Sequence, residues 1–295
     1  MFDKLVTEAL TNRPDLLPLQ MAVEKELLHH DILRVLGGGG FLERLAFIGG
    51  TCLRECYGSN RLSEDLDFTG GTEFCKESLT GIATILKDSF NARYGLRLEV
   101  GEPTRDSGNT DTWKIKVLTR PERRDMPAQR INIDVCAIPS YETRPMLLLN
   151  PYGVDMGTGG LILQAQSREE IFIDKLVAFA LRPNRIKHRD LWDIGWLHQQ
   201  DIAPRFTLLA AKMKDHCCQQ DRFLGLFEQR LSSLALLETA TAFRVEMRRF
   251  LPANLVAETI DKPAFWTWLT GLMTDLGVTA RKVLTDKSPV AKFRM

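Results

Sequence analysis

The 295-residue sequence lacks a charge excess of either sign, because 39 lysine and arginine residues nearly balance 38 aspartate and glutamate residues. A positive field over the whole surface, of the kind that attracts nucleic acid, is therefore excluded, and any such contact must come from a local basic patch. Long apolar runs are also missing. No stretch approaches the ~20 residues that span a bilayer, and the first residues contain no apolar signal segment. We therefore expect a cytoplasmic protein with no membrane partner.

Cysteine is sparse, and its six positions lack the spacing of zinc sites or of small disulfide-rich proteins. Cys52 and Cys56 are one helical turn apart, and Cys217 adjoins Cys218. This distribution favours buried or incidental reduced thiols, as in a cytosolic protein.

The chain is long enough for two domains. We predict an N-terminal α+β domain over residues 1–150, and a linker followed by a mostly helical domain over residues 151–295 that completes a cleft. Residues 139–166 are rich in proline and glycine and have no clear period, which predicts the linker and a covering loop. The other predicted elements are helices 18–36, 51–57 and 74–94, strands 45–48, 65–68, 96–100, 113–118 and 131–135, and a helical pattern from Ser167 onward.

The stretch from Phe47 to Phe68 combines a glycine turn with two carboxylates. Asp65 and Asp67 are two residues apart, so on a strand both project from the same face. Two carboxylates held this close repel each other unless a cation lies between them, and Mg²⁺ typically binds a few carboxylates together with substrate phosphates. Upstream, Gly49-Gly50-Thr51 would let backbone N–H groups approach a phosphate at a helix start. The stretch therefore predicts a phosphate site beside a metal site.

Asp134 lies in the apolar strand INIDV, where a lone buried carboxylate needs a partner. A metal shared with Asp65 and Asp67 would supply one, whereas a turn cap or an ion pair with Arg130 would be the structural alternative. On the preceding strand, Lys114 and Lys116 share one face, which fits either a nucleotide site or a solvated surface.

The helical half contains one lysine in an apolar stretch and a dense basic run. The capping-box pair Ser167 and Glu170 opens the helix SREEIFIDKLVAFALR, in which Lys175 must snorkel or find an anion. Asp190 and Asp193 follow one helical turn apart, after the basic run of Arg185, Lys187 and Arg189. That run fits phosphate contacts, an acidic acceptor or a solvated surface.

These motifs together resemble the AbiEii-like nucleotidyltransferase toxins of bacterial toxin–antitoxin systems, a group that includes the MenT-type toxins. GGT followed by SEDLDF is similar to the glycine motif and DxD pair of the superfamily, and INIDV is similar to its third-carboxylate strand. EEIFIDKLVAFALRPNRIKHRDLWDI resembles the family's lysine-bearing helix and RDxxD helix. Thr51 stands where serine is common, which keeps the hydroxyl. The matches organise roughly residues 20–200.

The resemblance implies a polymerase-beta-like nucleotidyltransferase fold, with a mixed-sheet core, flanking helices and a helical C-terminal domain. It implies Mg²⁺-dependent transfer of a nucleoside monophosphate from an NTP to an acceptor, which we expect to be the 3′ end of a tRNA, and this modification would block translation. It also implies a cognate antitoxin. Two Mg²⁺ ions, with Mn²⁺ as a substitute, would bind Asp65, Asp67 and Asp134. The remaining implied site residues are Gly49, Gly50, Thr51 and Ser63 at the nucleotide, Lys175 at the triphosphate and Asp193 in support of the site.

Other functions share parts of this pattern. The acceptor could instead be a protein or a small molecule, since the metal core would be the same. An inactive nucleotide-binding module would lack a reason for three carboxylates, and a metal-dependent nuclease would leave the glycine turn unused. For an RNA acceptor, the sequence offers the basic run 182–189 and the basic end of the chain from residue 280.

Overall fold

The structure is a computed structural model that describes residues 1–104, 108–120, 122 and 127–286. The chain forms two compact units. The first unit consists of residues 1–168 and 248–256, and the second consists of residues 169–247 and the chain from residue 257. The charged, proline-containing stretch 119–130, which the sequence predicts as a solvated hairpin loop, lies partly outside the described residues, as does the basic end of the chain from residue 287.

The first unit contains a seven-stranded mixed sheet with helices around it. The helices are α1 (Phe2–Asn12), α2 (Gln20–Gly38), α3 (Gly49–Tyr57) and α4 (Ile82–Tyr94), with short 3₁₀ helices at Pro14–Leu19 and Lys76–Leu79. The strands are β1 (Ala46–Ile48), β2 (Leu66–Thr69), β3 (Leu98–Gly101), β4 (Thr110–Val117), β5 (Gln129–Cys136), β6 (Thr143–Leu147) and β7 (Ile162–Gln166). A mixed sheet with flanking helices was the predicted fold, and it is confirmed.

The strand order is β3-β4-β5-β2-β1-β7-β6. β2 pairs in parallel with β5, and β1 pairs in parallel with β7, while the other pairs are antiparallel. The two strands with the predicted carboxylates, β2 and β5, are therefore neighbours at the centre of the sheet.

The two faces of the sheet differ in polarity. On one face, Phe47 and Phe68 are cross-strand partners whose rings stack 5.0 Å apart, and both are buried. On the other face, alternate positions of β2 and β5 carry half-buried polar residues, as at Asp67 and Asp134. Because side chains alternate along a strand, burial of the aromatic face directs the acidic residues to the accessible face.

Three predictions about the first unit are wrong. Residues 139–166 are not only a linker and loop, because they contain β6 and β7. β6 is an edge strand with Pro145 in its middle, where a missing N–H is tolerated, so its composition resembled a loop. The boundary predicted at residue 150 consequently falls inside the first unit. The helix predicted over residues 74–94 begins only at Ile82, after Gly81 adopts a left-handed φ of 94°.

The second unit is helical in the part that the structure describes. Its helices are α5 (Arg168–Leu181), α6 (His188–Gln199), α7 (Leu209–Asp215), α8 (Gln220–Leu234), α9 (Leu237–Met247) and α11 (Pro263–Thr285), with a 3₁₀ helix at Phe206–Leu208. Helix α10 (Ala253–Glu258) begins in the first unit's segment 248–256. Across the described residues, every helix is too short or too polar to cross a membrane.

A buried carboxylate, Glu26 of α2, ties the helices to the loop that leads into β2. It accepts a hydrogen bond from the Ser63 backbone N–H at 2.7 Å and pairs with Arg54 of α3 at 3.0 Å. The Tyr152 hydroxyl also donates to it. Burial by itself would lower the pKa of Arg54, but the negative charge of Glu26 raises it instead, so the Arg54 guanidinium stays protonated.

We expect Glu26→Ala to lower the free energy of unfolding by about 3 to 5 kcal/mol, because it leaves the Arg54 guanidinium buried without its carboxylate. Urea unfolding followed by circular dichroism measures this change. Glu43→Ala is the matched control, since Glu43 is exposed. Equal stability of the two variants would contradict the structural role of Glu26.

Candidate active site

The centre of the candidate site is a pair of carboxylates on adjacent parallel strands. Asp67 of β2 and Asp134 of β5 are register partners. Partner residues share one face of a sheet, and neighbouring strands lie about 4.8 Å apart. Both side chains are half-buried. The sheet thus brings together two acids that are 67 positions apart in the sequence.

Asp134 has a hydrogen-bonding partner from the next strand. The Thr112 hydroxyl donates to Asp134 Oδ1 at 2.6 Å, and the two residues are cross-strand partners. Neither a turn cap nor an ion pair with Arg130 is therefore needed to explain how this carboxylate is accommodated. The hydroxyl restricts the orientation of the carboxylate while leaving its charge in place.

Asp65 stands immediately before β2 and is half-buried, so burial alternates from Asp65 to Phe68 as strand spacing predicts. Its Oδ1 accepts the Asn132 backbone N–H at 3.1 Å. Among the described residues, no group of three or more His, Cys, Asp or Glu side chains is arranged to hold a metal ion. The three-carboxylate metal site therefore stays a prediction. What the fold places side by side is the pair Asp67 and Asp134.

Gly49 places the glycine turn directly against this pair. It is the first residue of α3 and has a left-handed φ of 75°. A Cβ atom added at Gly49 would lie 2.8 Å from Asp67 Oδ2, which is closer than real contacts allow. Both the backbone conformation and the space therefore require glycine here. The glycine turn and Asp67, both singled out in the sequence, are therefore in contact in the fold, while phosphate binding by the turn stays a prediction.

The hydroxyls of Thr51 and Ser63 are used inside the protein. Thr51 Oγ1 lies 2.5 Å from Ser63 Oγ, and it donates to the Asp65 backbone carbonyl. Both residues are buried, with 1% and 4% of their surface exposed. They support the loop that carries Asp65, and a direct contact of either residue with a nucleotide stays a prediction. Gly50 is buried beside them at the start of α3.

In the second unit, Lys175 of α5 is held by both acids of the RDxxD helix α6. Its Nζ lies 2.6 Å from Asp190 Oδ1 and 2.9 Å from Asp193 Oδ2, and all three side chains are buried. The buried lysine thus has the anions that its apolar stretch required. Burial by itself would raise the pKa of Asp190, but the charges of Lys175, Lys187 and Arg182 outweigh burial and hold that pKa well below its ordinary value.

The basic residues that the sequence offered as phosphate contacts divide into those with a carboxylate partner and those that are exposed. Arg182 pairs with Asp190 at 3.1 Å, and Arg189 pairs with Glu246 at 3.5 Å. Arg185 is exposed. In the first unit, Lys116 pairs with Glu99 at 3.0 Å, while Lys114 is exposed. Several predicted phosphate contacts therefore also have structural carboxylate partners.

Sequence reasoning missed Thr112 and the backbone of Asn132 as partners of the acidic residues. Their roles depend on strand register, which places Thr112 opposite Asp134. A threonine on the strand next to a buried acid is the only signal in the sequence, and it gives no register by itself.

Comparison with known proteins gives one family and several structures. The profile of a family described as "Nucleotidyl transferase AbiEii toxin, Type IV TA system" matches residues 31–271. A search of the curated proteins found no match. Among solved structures, MenT4, the nucleotidyltransferase toxin Rv2826c from Mycobacterium tuberculosis H37Rv, aligns with a TM-score of 0.55 and 18% identity over 96% of this chain and 92% of its own. JHP933 from Helicobacter pylori aligns with a TM-score of 0.44 and 19% identity over 89% and 91%.

We expect Gly49→Ala to destabilise the protein more than Gly71→Ala does. Both glycines have a φ of 75°, but a Cβ at Gly71 meets no atom within 4 Å. Each variant should therefore lose about 1 to 2 kcal/mol from the left-handed conformation. Only Gly49→Ala adds a clash with Asp67, worth about 1 to 3 kcal/mol more. Urea unfolding of the two variants side by side measures the difference, and equal losses would rule out the close approach.

We expect Asp190→Asn to lower the free energy of unfolding at pH 7 by about 1.5 to 3 kcal/mol, because it weakens a charged hydrogen bond to Lys175. Since the pKa of Asp190 is lowered in the folded state, its stabilisation is present above the unfolded value near ~3.9 and is lost as the pH falls below it. The difference between wild type and variant should therefore shrink below about pH 4. Asp221→Asn, at an exposed position of α8, is the control. A difference that does not change with pH would contradict this assignment.

Proposed function

The chain belongs to the AbiEii family of nucleotidyltransferase toxins, and from that premise we propose that it transfers a nucleoside monophosphate from an NTP to the 3′ end of a tRNA and thereby blocks translation. The observation that carries the proposal is the register of Asp67 beside Asp134, with Gly49 in contact with Asp67. That arrangement joins an acidic pair to a backbone turn that a phosphate can approach.

The acidic pair fits a magnesium site. Two adjacent carboxylates repel each other, and Mg²⁺ commonly binds one or two carboxylates together with substrate phosphates. We propose that Asp67 and Asp134 hold Mg²⁺, that Asp65 contributes from the residue before β2, and that two ions bind in all, with Mn²⁺ as a substitute. Bound there, Mg²⁺ would neutralise charge on the phosphate oxygens.

The protein's own groups would position the reactants. Gly49 lets the backbone at the start of α3 lie directly against Asp67, and the backbone N–H groups there would meet an anion bound next to the carboxylate. Thr112 fixes the orientation of Asp134. In the reaction, the acceptor hydroxyl forms a bond to the α-phosphorus, and the bond to the leaving pyrophosphate breaks. Positioning and charge neutralisation supply most of the catalysis in this class of reaction.

Lys175 is proposed to contact the triphosphate, with Asp193 in support. The ion pairs of Lys175 with Asp190 and Asp193 support the positioning role of Asp193, since both carboxylates hold the ammonium group in place. A triphosphate at Lys175 would then compete with two carboxylates for the same charge. Lys175 would consequently bind phosphate less strongly than a lysine without acidic partners.

RNA is the proposed acceptor because exposed basic side chains occur in both units, as at Lys114 and Arg185. The family description names a toxin of a toxin–antitoxin system, which supports a cognate antitoxin as partner. NTPs and tRNA are both cytoplasmic, so we propose that the protein acts in the cytoplasm.

The test is incubation of purified protein with Mg²⁺, each labelled NTP in turn, and total tRNA, total protein or a metabolite extract. We expect label on tRNA, separated by gel, from one preferred NTP. Asp67→Asn and Asp134→Asn should each reduce incorporation at least ~100-fold. Loss of a residue that only supports a metal ligand reduces activity by up to ~100-fold, and loss of the ligand itself should reduce it by at least as much.

Asp88→Asn, at an exposed position of α4, is the control and should keep full activity. Incorporation retained by Asp67→Asn or Asp134→Asn would refute the role of the pair. Label found only on protein or on a metabolite would refute the tRNA acceptor while leaving the transferase activity.

A further inference from the structure

A cavity of about 470 Å³ lies in the first unit next to the residue that precedes Asp65. Its walls come from four parts of the chain that are distant in sequence. They are residues 18–22 with Lys25, Glu64, Gln129, and the segment 248–250. All four parts belong to the first unit.

The charged residues of the cavity are mostly cationic. Lys25, Arg248 and Arg249 line it against a single carboxylate, Glu64. Lys25 Nζ lies 3.5 Å from Glu64 Oε1, and both arginines are exposed at the surface. The chain as a whole has a net charge of only +1, so this local excess does not reflect bulk composition. It is the kind of local basic patch that a nearly neutral protein needs to bind an anion.

The walls are anchored to the fold. The Leu62 backbone N–H donates to the Phe250 carbonyl at 2.9 Å, which ties the arginine segment to the loop leading into β2. The Gln129 carboxamide donates to the Met21 carbonyl at 3.1 Å and to Glu24 at 3.2 Å. The cationic groups are therefore mounted on fixed backbone, which lowers the cost of ordering them around a ligand.

The position of the cavity relates it to the acidic pair. Glu64 lines the cavity, and Asp65 is the next residue, so their Cα atoms are about 3.8 Å apart. Asp67 follows two residues later on β2. An extended anion held in the cavity would therefore lie where β2 and β5 begin, and it would pass around that end of the sheet to reach the face with Asp67 and Asp134. A polymer of phosphates is suited to this arrangement, because one phosphate can occupy the cavity while its terminus reaches the strand.

We propose that this cavity binds backbone phosphates of the polynucleotide acceptor, through Lys25, Arg248 and Arg249. The proposal rests on the proposed function, since it specifies how an RNA acceptor reaches the site. The triphosphate of the NTP presents the same chemistry, so the test separates the two sources.

The test compares the double variant Arg248→Glu/Arg249→Glu with the control Arg44→Glu/Lys87→Glu, which makes the same change of charge at two exposed positions outside the cavity. Filter binding of total tRNA is measured between 50 and 200 mM salt without NTP, and NTP affinity is measured separately by calorimetry. We expect the cavity variant to bind tRNA at least ~10-fold more weakly than the control at low salt, with a slope of log K against log salt lower by about 1.4 to 1.8. Its NTP affinity should match that of the control.

Lys25→Met provides a milder second variant, and circular dichroism checks that each variant folds. It should weaken tRNA binding by several-fold with the same NTP affinity. The proposal is overturned if tRNA binds the cavity variant as it binds the control, or if NTP affinity falls instead. Because binding is measured without catalysis, a wild-type protein that binds tRNA through this cavity but does not modify it would refute only the proposed function.

Discussion

A continuous chain of hydrogen bonds from the buried Glu26 carboxylate to Asp65 determines the geometry of the candidate site. Glu26 accepts the Ser63 N–H, the Ser63 and Thr51 hydroxyls are in contact, and Thr51 donates to the Asp65 carbonyl. Asp65 in turn accepts the Asn132 N–H from β5. Helix α2, helix α3 and two central strands are thereby linked through one loop. An acidic residue at the start of a strand would otherwise have considerable conformational freedom, and here its backbone and its side chain are both held.

The accessible face of the sheet is a consequence of packing on the other face. Once Phe47 and Phe68 are buried as partners, the period of two places Asp67 on the opposite side, and parallel pairing with β5 brings Asp134 next to it. Regular strand pairing is therefore enough to bring the two carboxylates together, and the backbone needs no special conformation in β2 or β5. The repulsion between the two carboxylates is reduced because both are half-exposed to solvent and because Asp134 accepts a hydrogen bond from Thr112.

Much of the fold and part of the candidate site could be predicted from the sequence, because the motifs that indicate them are short and contiguous. The fold class and the family membership are confirmed, and the spacing of Asp65 and Asp67 matches the alternation of burial. What could not be predicted depends on contacts between distant segments. Strand β6 resembled a loop because Pro145 is tolerated only at a sheet edge, and Thr112 could not be paired with Asp134 without the register. Lys175 was expected either to snorkel or to find an anion, and the sequence could not decide, because its two carboxylate partners lie on another helix, α6.

The path of the chain has a consequence for how such proteins can diverge. Residues 248–256 belong to the first unit although residues on both sides of them belong to the second, and Phe250 accepts a hydrogen bond from Leu62. The helical part is therefore not an appendage that recombination could exchange at a single junction, since any replacement must also supply this nine-residue return segment. Inheritance of the two units as one block is the expected result, and variation should accumulate by substitution and by insertions in loops rather than by shuffling of modules.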